Sequence, residues 1–262
     1  MVIMDLHHGC GGVDVNQSGI VRHLVISPRS CNCVLFIDCD HNHAVFNHMI
    51  SVVIPTMWRH EPFCDFLVQV CDHGHVTDVI IINNDQDLTP THPALDHEKV
   101  KMVTLGQNLF VNPSWNLGVY MSEADIICLQ NDDIQFDCAI YQKVSEFVQP
   151  HMGLISLSGE PAQSDQIDFR LWQGDSMFGC GQLMFFHRQQ FVQIDPELKV
   201  YCGDNWLFDH MWHVTGQNYM IHNLKHETPY AQTSKSFRHM LHAEQIRYSQ
   251  ICQQHGVPQI HV

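Results

Sequence analysis

The fold turns on the stretch Ala124-Asp-Ile-Ile-Cys-Leu-Gln-Asn-Asp-Asp-Ile134. Its apolar run, Ile126, Ile127, Cys128 and Leu129, is too short for an independent helix and rich in β-branched side chains. It therefore predicts a strand covered on both faces, as in a parallel sheet. The strand runs into Asp132 and Asp133, and adjacent carboxylates repel one another unless a cation or hydrogen-bond donors neutralise them. Open α/β sheets place their ligands at the carboxyl ends of strands, which reads the pair as a divalent-metal site for a phosphorylated ligand. A turn or a helix N-cap uses the same residue types. Both readings stand on this stretch alone.

Upstream, Ile50-Ser-Val-Val-Ile-Pro-Thr56 predicts a buried strand, and Glu61 to Cys71 a helix with Phe63, Phe66, Leu67 and Val70 inward. Val76 to Asn83 is a second strand ending in the polar cluster Asn83-Asn-Asp-Gln-Asp87, and Val100 to Leu105 is a third. Pro113 and Ser114 open a helix that runs through Ser122. The strand from Asp125 is the fourth. Alternating strands and helices imply βαβ units, a parallel sheet and right-handed crossovers.

Downstream, the pattern predicts a helix over Cys138 to Val148 and a strand over Gly153 to Leu157. Ser158 to Ser176 is polar and aperiodic, suited to a loop over a site. Met177 to His187 reads as a strand that approaches a ligand or other backbone closely at Gly179 and Gly181. Gln189 to Val192 begins a turn of helix, and Asn205 to Val214 forms a helix with Leu207, Phe208, Met211 and Trp212 inward. Tyr219 to Leu224 is the last strand and Lys225 to Ser236 a loop. A C-terminal helix, Phe237 to His255, is ended by Gly256 and Pro258.

The 262 residues, 45% hydrophobic and 16% charged, suit one large α/β domain. A formal net charge of -15, from 13 Lys and Arg against 28 Asp and Glu, argues against non-specific binding to nucleic acid or an anionic membrane. Eleven cysteines, an odd number without repeated spacing, point to a reducing compartment. No run of roughly 18 apolar residues appears and the N-terminus lacks a secretory pattern, so a soluble, cytoplasmic protein is expected.

Residues 1–48 are read as a poorly defined N-terminal extension and 49–262 as the core domain, with Met49 as an alternative start. Two apolar runs in the extension, His23 to Ser27 and Cys33 to Ile37, suit a hairpin. Cys31, Cys33, Cys39, His41 and His43 do not match a standard zinc-finger spacing.

The order of the core pieces resembles the GT-A-fold glycosyltransferases, most closely the inverting family 2-like members. Matching features are Val52-Val-Ile-Pro-Thr56, Asn83-Asn-Asp85, Asn112 to Gly118, and Asn131-Asp132-Asp133 in place of the Asp-x-Asp element. Gly179-Cys-Gly181 before an aromatic strand, Gly203-Asp204 before a helix, and His226 with Thr233-Ser234 extend the match over about residues 50–236. The resemblance implies a Rossmann-like three-layer α/β/α sandwich with a mostly parallel central sheet. It departs from the family at Gly203, where an acid is usual, and in lacking the Gln/Arg-x-x-Arg-Trp signature of processive synthases. A transferase of single sugars is what remains.

The implied reaction moves a sugar from a nucleoside diphosphate sugar to a hydroxyl of a glycan or glycoconjugate, with Mn²⁺ or Mg²⁺ stabilising the diphosphate. Asp133 is the expected direct metal ligand, with His226 as a further one; His222 competes for that role. Asn131 and Asp132 are expected at the ribose or metal-bound water. Asp85, Thr56, Arg59 and Asn116 complete the donor side, with an Asx turn as the alternative for Asp85. Asp204 is the candidate general base, or an N-cap of the helix from Asn205, and both roles can coexist. Trp172 and Trp206 are the expected acceptor surface, although Trp115 reads as core. Thr233 and Ser234 are candidates to close over the diphosphate.

Two other classes are weighed. A sugar-nucleotide pyrophosphorylase normally carries a glycine-rich loop after its first strand, whereas Met57-Trp-Arg-His-Glu-Pro62 has no glycine. A non-catalytic GT-A-like protein that binds a nucleotide or glycan is kept in play by the altered Gly203.

Overall fold

The computed structural model describes residues 22–25, 35–38, 48–88, 90–174, 180–228 and 236–260. The chain divides into two compact units, Met1–Phe46 and Asn47–Val262. In the first, β1 (Arg22–Val25) pairs antiparallel with β2 (Leu35–Asp38), placing Arg22 opposite Asp38. The Cys and His residues weighed for zinc in this segment lie outside the described residues.

The second unit is built on β3 (Ile50–Thr56), whose residues are all buried. It is followed by α1 (Phe63–Asp72), β4 (Val76–Asn83), β5 (Val100–Thr104), α2 (Val111–Met121) and β6 (Ile126–Gln130). Then come β7 (Gln135–Phe136), α3 (Ala139–Phe147), β8 (Ile155–Leu157), β9 (Asp168–Leu171) and β10 (Leu183–His187). Last come α4 (Gly203–Thr215), β11 (Tyr219–His222), β12 (His226–Glu227) and α5 (Leu241–His255).

Eight strands form one sheet in the order β5-β4-β3-β6-β10-β8-β11-β9. β10 and β9 run antiparallel to their neighbours, and the other strands share one direction. Because side chains alternate across a strand, each strand feeds two cores. Ile50, Val52 and Ile54 join Cys128 and Phe185 against α1 and α3. Val53, Ile127, Leu129 and Phe186 pack with α2, α4 and α5 on the other face. Helices thus cover both faces of a mostly parallel sheet, giving the expected three-layer sandwich. Close packing of α2 on β3 needs Gly118, where a Cβ would fall 2.1 Å from Val53 Cγ1.

Several boundaries differ from the sequence reading. The loop over 158–176 contains β9, an edge strand held by β11, and the loop over 225–236 contains β12, paired with β7. Two- and four-residue strands leave too few alternations to be read. Leu183–His187 is the strand of the 177–187 stretch, preceded by a 3-10 turn at Cys180–Gln182, while Gly179 lies outside the described residues. α4 starts at Gly203 because Cys202 adopts a left-handed turn, φ 59°. Asp204 is therefore inside the first turn of the helix, and the N-cap position belongs to Cys202. α2 likewise starts at Val111, with Pro113 in its first turn, where no backbone N–H is needed. Among the described residues no helix is long and apolar enough to cross a membrane.

Candidate functional site

A cleft opens at the carboxyl ends of β3, β4 and β6, where open α/β sheets place their ligands. Pro55 and Thr56 end β3, Asn84 follows β4, and Asp132 and Asp133 follow β6. Met57, Arg59 and His60 line it from the loop after β3, and Asn108, Phe110 and Val111 from the entry to α2. Val200 and Phe237 complete the wall.

The floor is hydrogen-bonded across the sheet. Thr56 Oγ1 donates to Asp132 Oδ2 (2.5 Å) and accepts from the Trp58 N–H (2.8 Å). Burial pushes the Asp132 carboxyl up to about 6. The Thr56 hydroxyl opposes that rise, Asp133 adds to it, and His60 and the Met57 backbone oppose it. Asp133 is also raised by burial, against its own backbone N–H and His60. His60 Nε2 is buried and has no hydrogen-bond partner among the described residues. Burial thus raises the cost of ionising both carboxylates, a cost that nearby hydrogen-bond donors reduce.

The walls are fixed by asparagines. Asn84 donates its N–H to Thr56 O (2.8 Å), and its side chain accepts from the Leu109 N–H (2.9 Å) and donates to Ser114 Oγ (3.0 Å). It thereby ties β3 and β4 to the start of α2. Asn108 Oδ1 accepts from the Phe110 N–H (2.7 Å). Phe110 sits at φ 65°, ψ -179°, and Trp58 at φ 58°. Bulky residues with positive φ are outliers that concentrate at ligand sites, and these two flank the cleft.

Of the residues singled out in the sequence, Thr56, Arg59, Asp132 and Asp133 meet in this cleft. Asp85 does not line it, and its Oδ1 accepts the N–H groups of Asp87 (3.0 Å) and Leu88 (3.1 Å), the Asx-turn alternative. Asn116 points elsewhere: its amide exchanges two hydrogen bonds with the Ile194 backbone, 2.7 and 2.9 Å. Asn131 donates its N–H to Gln182 O (3.0 Å). His226 lines a separate groove beside β7 and β12, with Nδ1 3.0 Å from Leu224 O. His222 faces Glu160, Nδ1 to Oε2 3.3 Å.

Both tryptophans proposed for the acceptor are core residues. Trp172 is 6% exposed and packs edge-on to Phe208 and Trp212. Trp206 is 1% exposed and donates its indole N–H to Gln193 O (3.2 Å). Neither offers a face to a sugar, because the inward side of α4 carries Trp206 and the second core takes Trp172. Thr233 and Ser234 lie outside the described residues.

Asp204 stands in the first turn of α4, its Oδ1 accepting from the Asn205 N–H (3.0 Å). Gly181 lies against it: a Cβ there would fall 2.5 Å from Asp204 Oδ2. Gly181 precedes Gln182, which receives the Asn131 N–H, so Asp204 is linked to the end of β6 through one short turn. The departure at Gly203 has a packing cause, since a Cβ there would lie 2.3 Å from the buried Asn112 side chain.

Sequence reasoning missed His60, Asn84, Asn108, Phe110, Val200 and Phe237. His60 and Asn84 stood in segments already quoted, directly after the first and second strands, and strand-end position was their available signal. Val200 and Phe237 carry no local pattern. Among the described residues, no group of three or more His, Cys, Asp or Glu side chains is arranged to hold a metal ion.

No family model and no curated protein sequence matches the chain. Among solved structures, TarS 1–349 from S. aureus aligns with TM-score 0.50 at 10% identity, over 76% of this chain and 64% of that one. A nucleotidyl transferase from Methanothermobacter aligns at TM-score 0.43 and 12% identity, over 67% and 87% of the two chains. The mannosyltransferase PcManGT from Pyrobaculum calidifontis, in complex with GDP-Man and Mn²⁺, aligns at TM-score 0.39 and 12% identity, over 55% and 45%. The chain spans about two thirds or less of the TarS and PcManGT structures. The architecture is a GT-A-like fold.

Proposed function

We propose that this protein is a metal-dependent, inverting glycosyltransferase that moves one sugar from a nucleoside diphosphate sugar to a hydroxyl of a glycan or glycoconjugate. The observation that carries this reading is the cleft at the ends of β3, β4 and β6, whose floor presents the Thr56-braced Asp132 beside Asp133. Hard divalent cations at phosphate sites are commonly held by one or two carboxylates, with substrate oxygens and water supplying the rest. Asp132 and Asp133 fit that donor set, and we assign the direct contact to Asp133. A bound Mn²⁺ or Mg²⁺ would stabilise the charge that grows on the departing diphosphate.

The remaining chemistry belongs to the chain. Arg59 lines the cleft and can donate to the donor's phosphate and ribose oxygens, while the Asn84 amide is committed to Ser114 Oγ and Phe110 O and holds the wall. Asp204 takes the proton of the acceptor hydroxyl as its oxygen attacks the anomeric carbon, and the carbon–diphosphate bond breaks on the opposite side. The free thiols of the described cysteines agree with a cytoplasmic location.

The test is release of nucleoside diphosphate from a panel of UDP and GDP sugars, with and without Mn²⁺ or Mg²⁺ and across glycan acceptors. Metal-dependent release supports the reading. Tight donor binding without release from any pair would favour a non-catalytic binding protein, and pyrophosphate-dependent turnover would favour a pyrophosphorylase.

A further inference from the structure

Glu244 lies on α5, far in sequence from the cleft, and is 3% exposed. Its Oε2 accepts the N–H groups of Val200 (3.0 Å) and Tyr201 (2.7 Å), while Oε1 is buried with no hydrogen-bond partner among the described residues. A buried carboxylate is costly, and packing of α5 is already served by Tyr248, Ile251 and Cys252. A helix that only packed would carry an apolar residue at this position.

The segment that Glu244 holds is gripped from its other side by Asn112 of α2. The Asn112 N–H donates to Lys199 O (3.0 Å) and its Nδ2 to Tyr201 O (3.1 Å). The next residue, Cys202, takes the left-handed conformation, and Gly203 packs against the Asn112 side chain with no room for a Cβ. Residues 199–203 are thus fixed by both helices. Val200 lines the cleft at one end of this segment, and Asp204 follows at the other, against Gly181.

We infer that Glu244 is a positioning residue: its carboxylate fixes Val200 and Tyr201 and, through the Cys202 turn, sets where Asp204 stands relative to the cleft. This role rests on the reading of Asp204 as the base. Glu244 touches no substrate. Its contribution is an acceptor oxygen, so an amide serves where a methyl does not.

The test compares Glu244→Ala and Glu244→Gln in the full chain, using the sugar nucleotide that the donor panel selects. Transfer kcat, donor Kd and amide exchange at Val200 and Tyr201 are measured together. Glu244→Ala should lower kcat about tenfold or more, speed exchange at both amides by a similar factor, and leave donor Kd within about threefold. Glu244→Gln should stay near wild type in all three. Unchanged kcat in Glu244→Ala overturns the inference, as does a loss that Glu244→Gln shares or that follows only the folded fraction. If the alanine variant does not fold, Glu244→Asp, one methylene short of both amides, takes its place with the same expected losses. Normal transfer by Asp204→Asn together with fast exchange in Glu244→Ala would sink the base assignment and leave the clamp standing.

Discussion

Thr56 and Asp132 meet across the sheet, the hydroxyl at the end of β3 donating to the carboxylate beyond β6 at 2.5 Å. A hydrogen bond to a charged group contributes about 1.5–3 kcal/mol, and this one opposes the burial that raises Asp132. Thr56→Val should weaken metal-dependent donor binding about tenfold. Titration calorimetry with the donor and Mn²⁺ checks this; an unchanged Kd would remove Thr56 from the site.

Asp132 also makes a pH prediction. With its carboxyl raised to about 6, the folded chain binds more protons than the unfolded one between about pH 4 and 6. The stability due to this group is therefore present at low pH and is lost as pH rises through its folded value. Asp132→Asn should melt higher than wild type at about pH 7.5, by roughly 1–3 kcal/mol, and the gap should close toward about pH 4.5. A gap independent of pH would contradict the burial.

Asp133 and Asp204 should separate in kinetics. Asp133→Asn is expected to raise donor Kd in Mn²⁺ about tenfold or more while leaving metal-free binding unchanged. Asp204→Asn should keep donor Kd and lose transfer by roughly a hundredfold to ten-thousandfold. Chelation of wild type should reproduce the Asp133→Asn phenotype, and added Mn²⁺ should reverse it. Similar near-wild-type rates in both variants would overturn the assignments.

Two glycines should fail in different ways. Gly181→Ala pushes a methyl toward the Asp204 carboxylate, 2.5 Å away, which must swing aside. Activity should fall by about a hundredfold with little change in the urea midpoint. Gly118→Ala drives a methyl into Val53 at 2.1 Å within the core. It should cost about 1–3 kcal/mol of stability and leave the kinetics of the folded fraction near wild type.

The sequence by itself determined most of the strand and helix order of the core, the short β7, β9 and β12 excepted, because long apolar runs such as Val76–Asn83 and the helical spacing of Phe63, Phe66, Leu67 and Val70 are local signals. It also located the ends of β3 and β6, and hence Thr56, Arg59, Asp132 and Asp133. Position relative to a strand end is a property of the chain itself. Only the tertiary structure decided which polar residues face the cleft. Asn116 clasps Ile194, Asp85 closes its own turn, and Trp172 and Trp206 fill the core, because a helix face or a loop's direction depends on what packs against it. The same holds for Asp132, whose raised pKa comes from burial between elements. Glu244 is the extreme case: nothing around it in the sequence marks it, and its partners Val200 and Tyr201 reach it only when α5 docks.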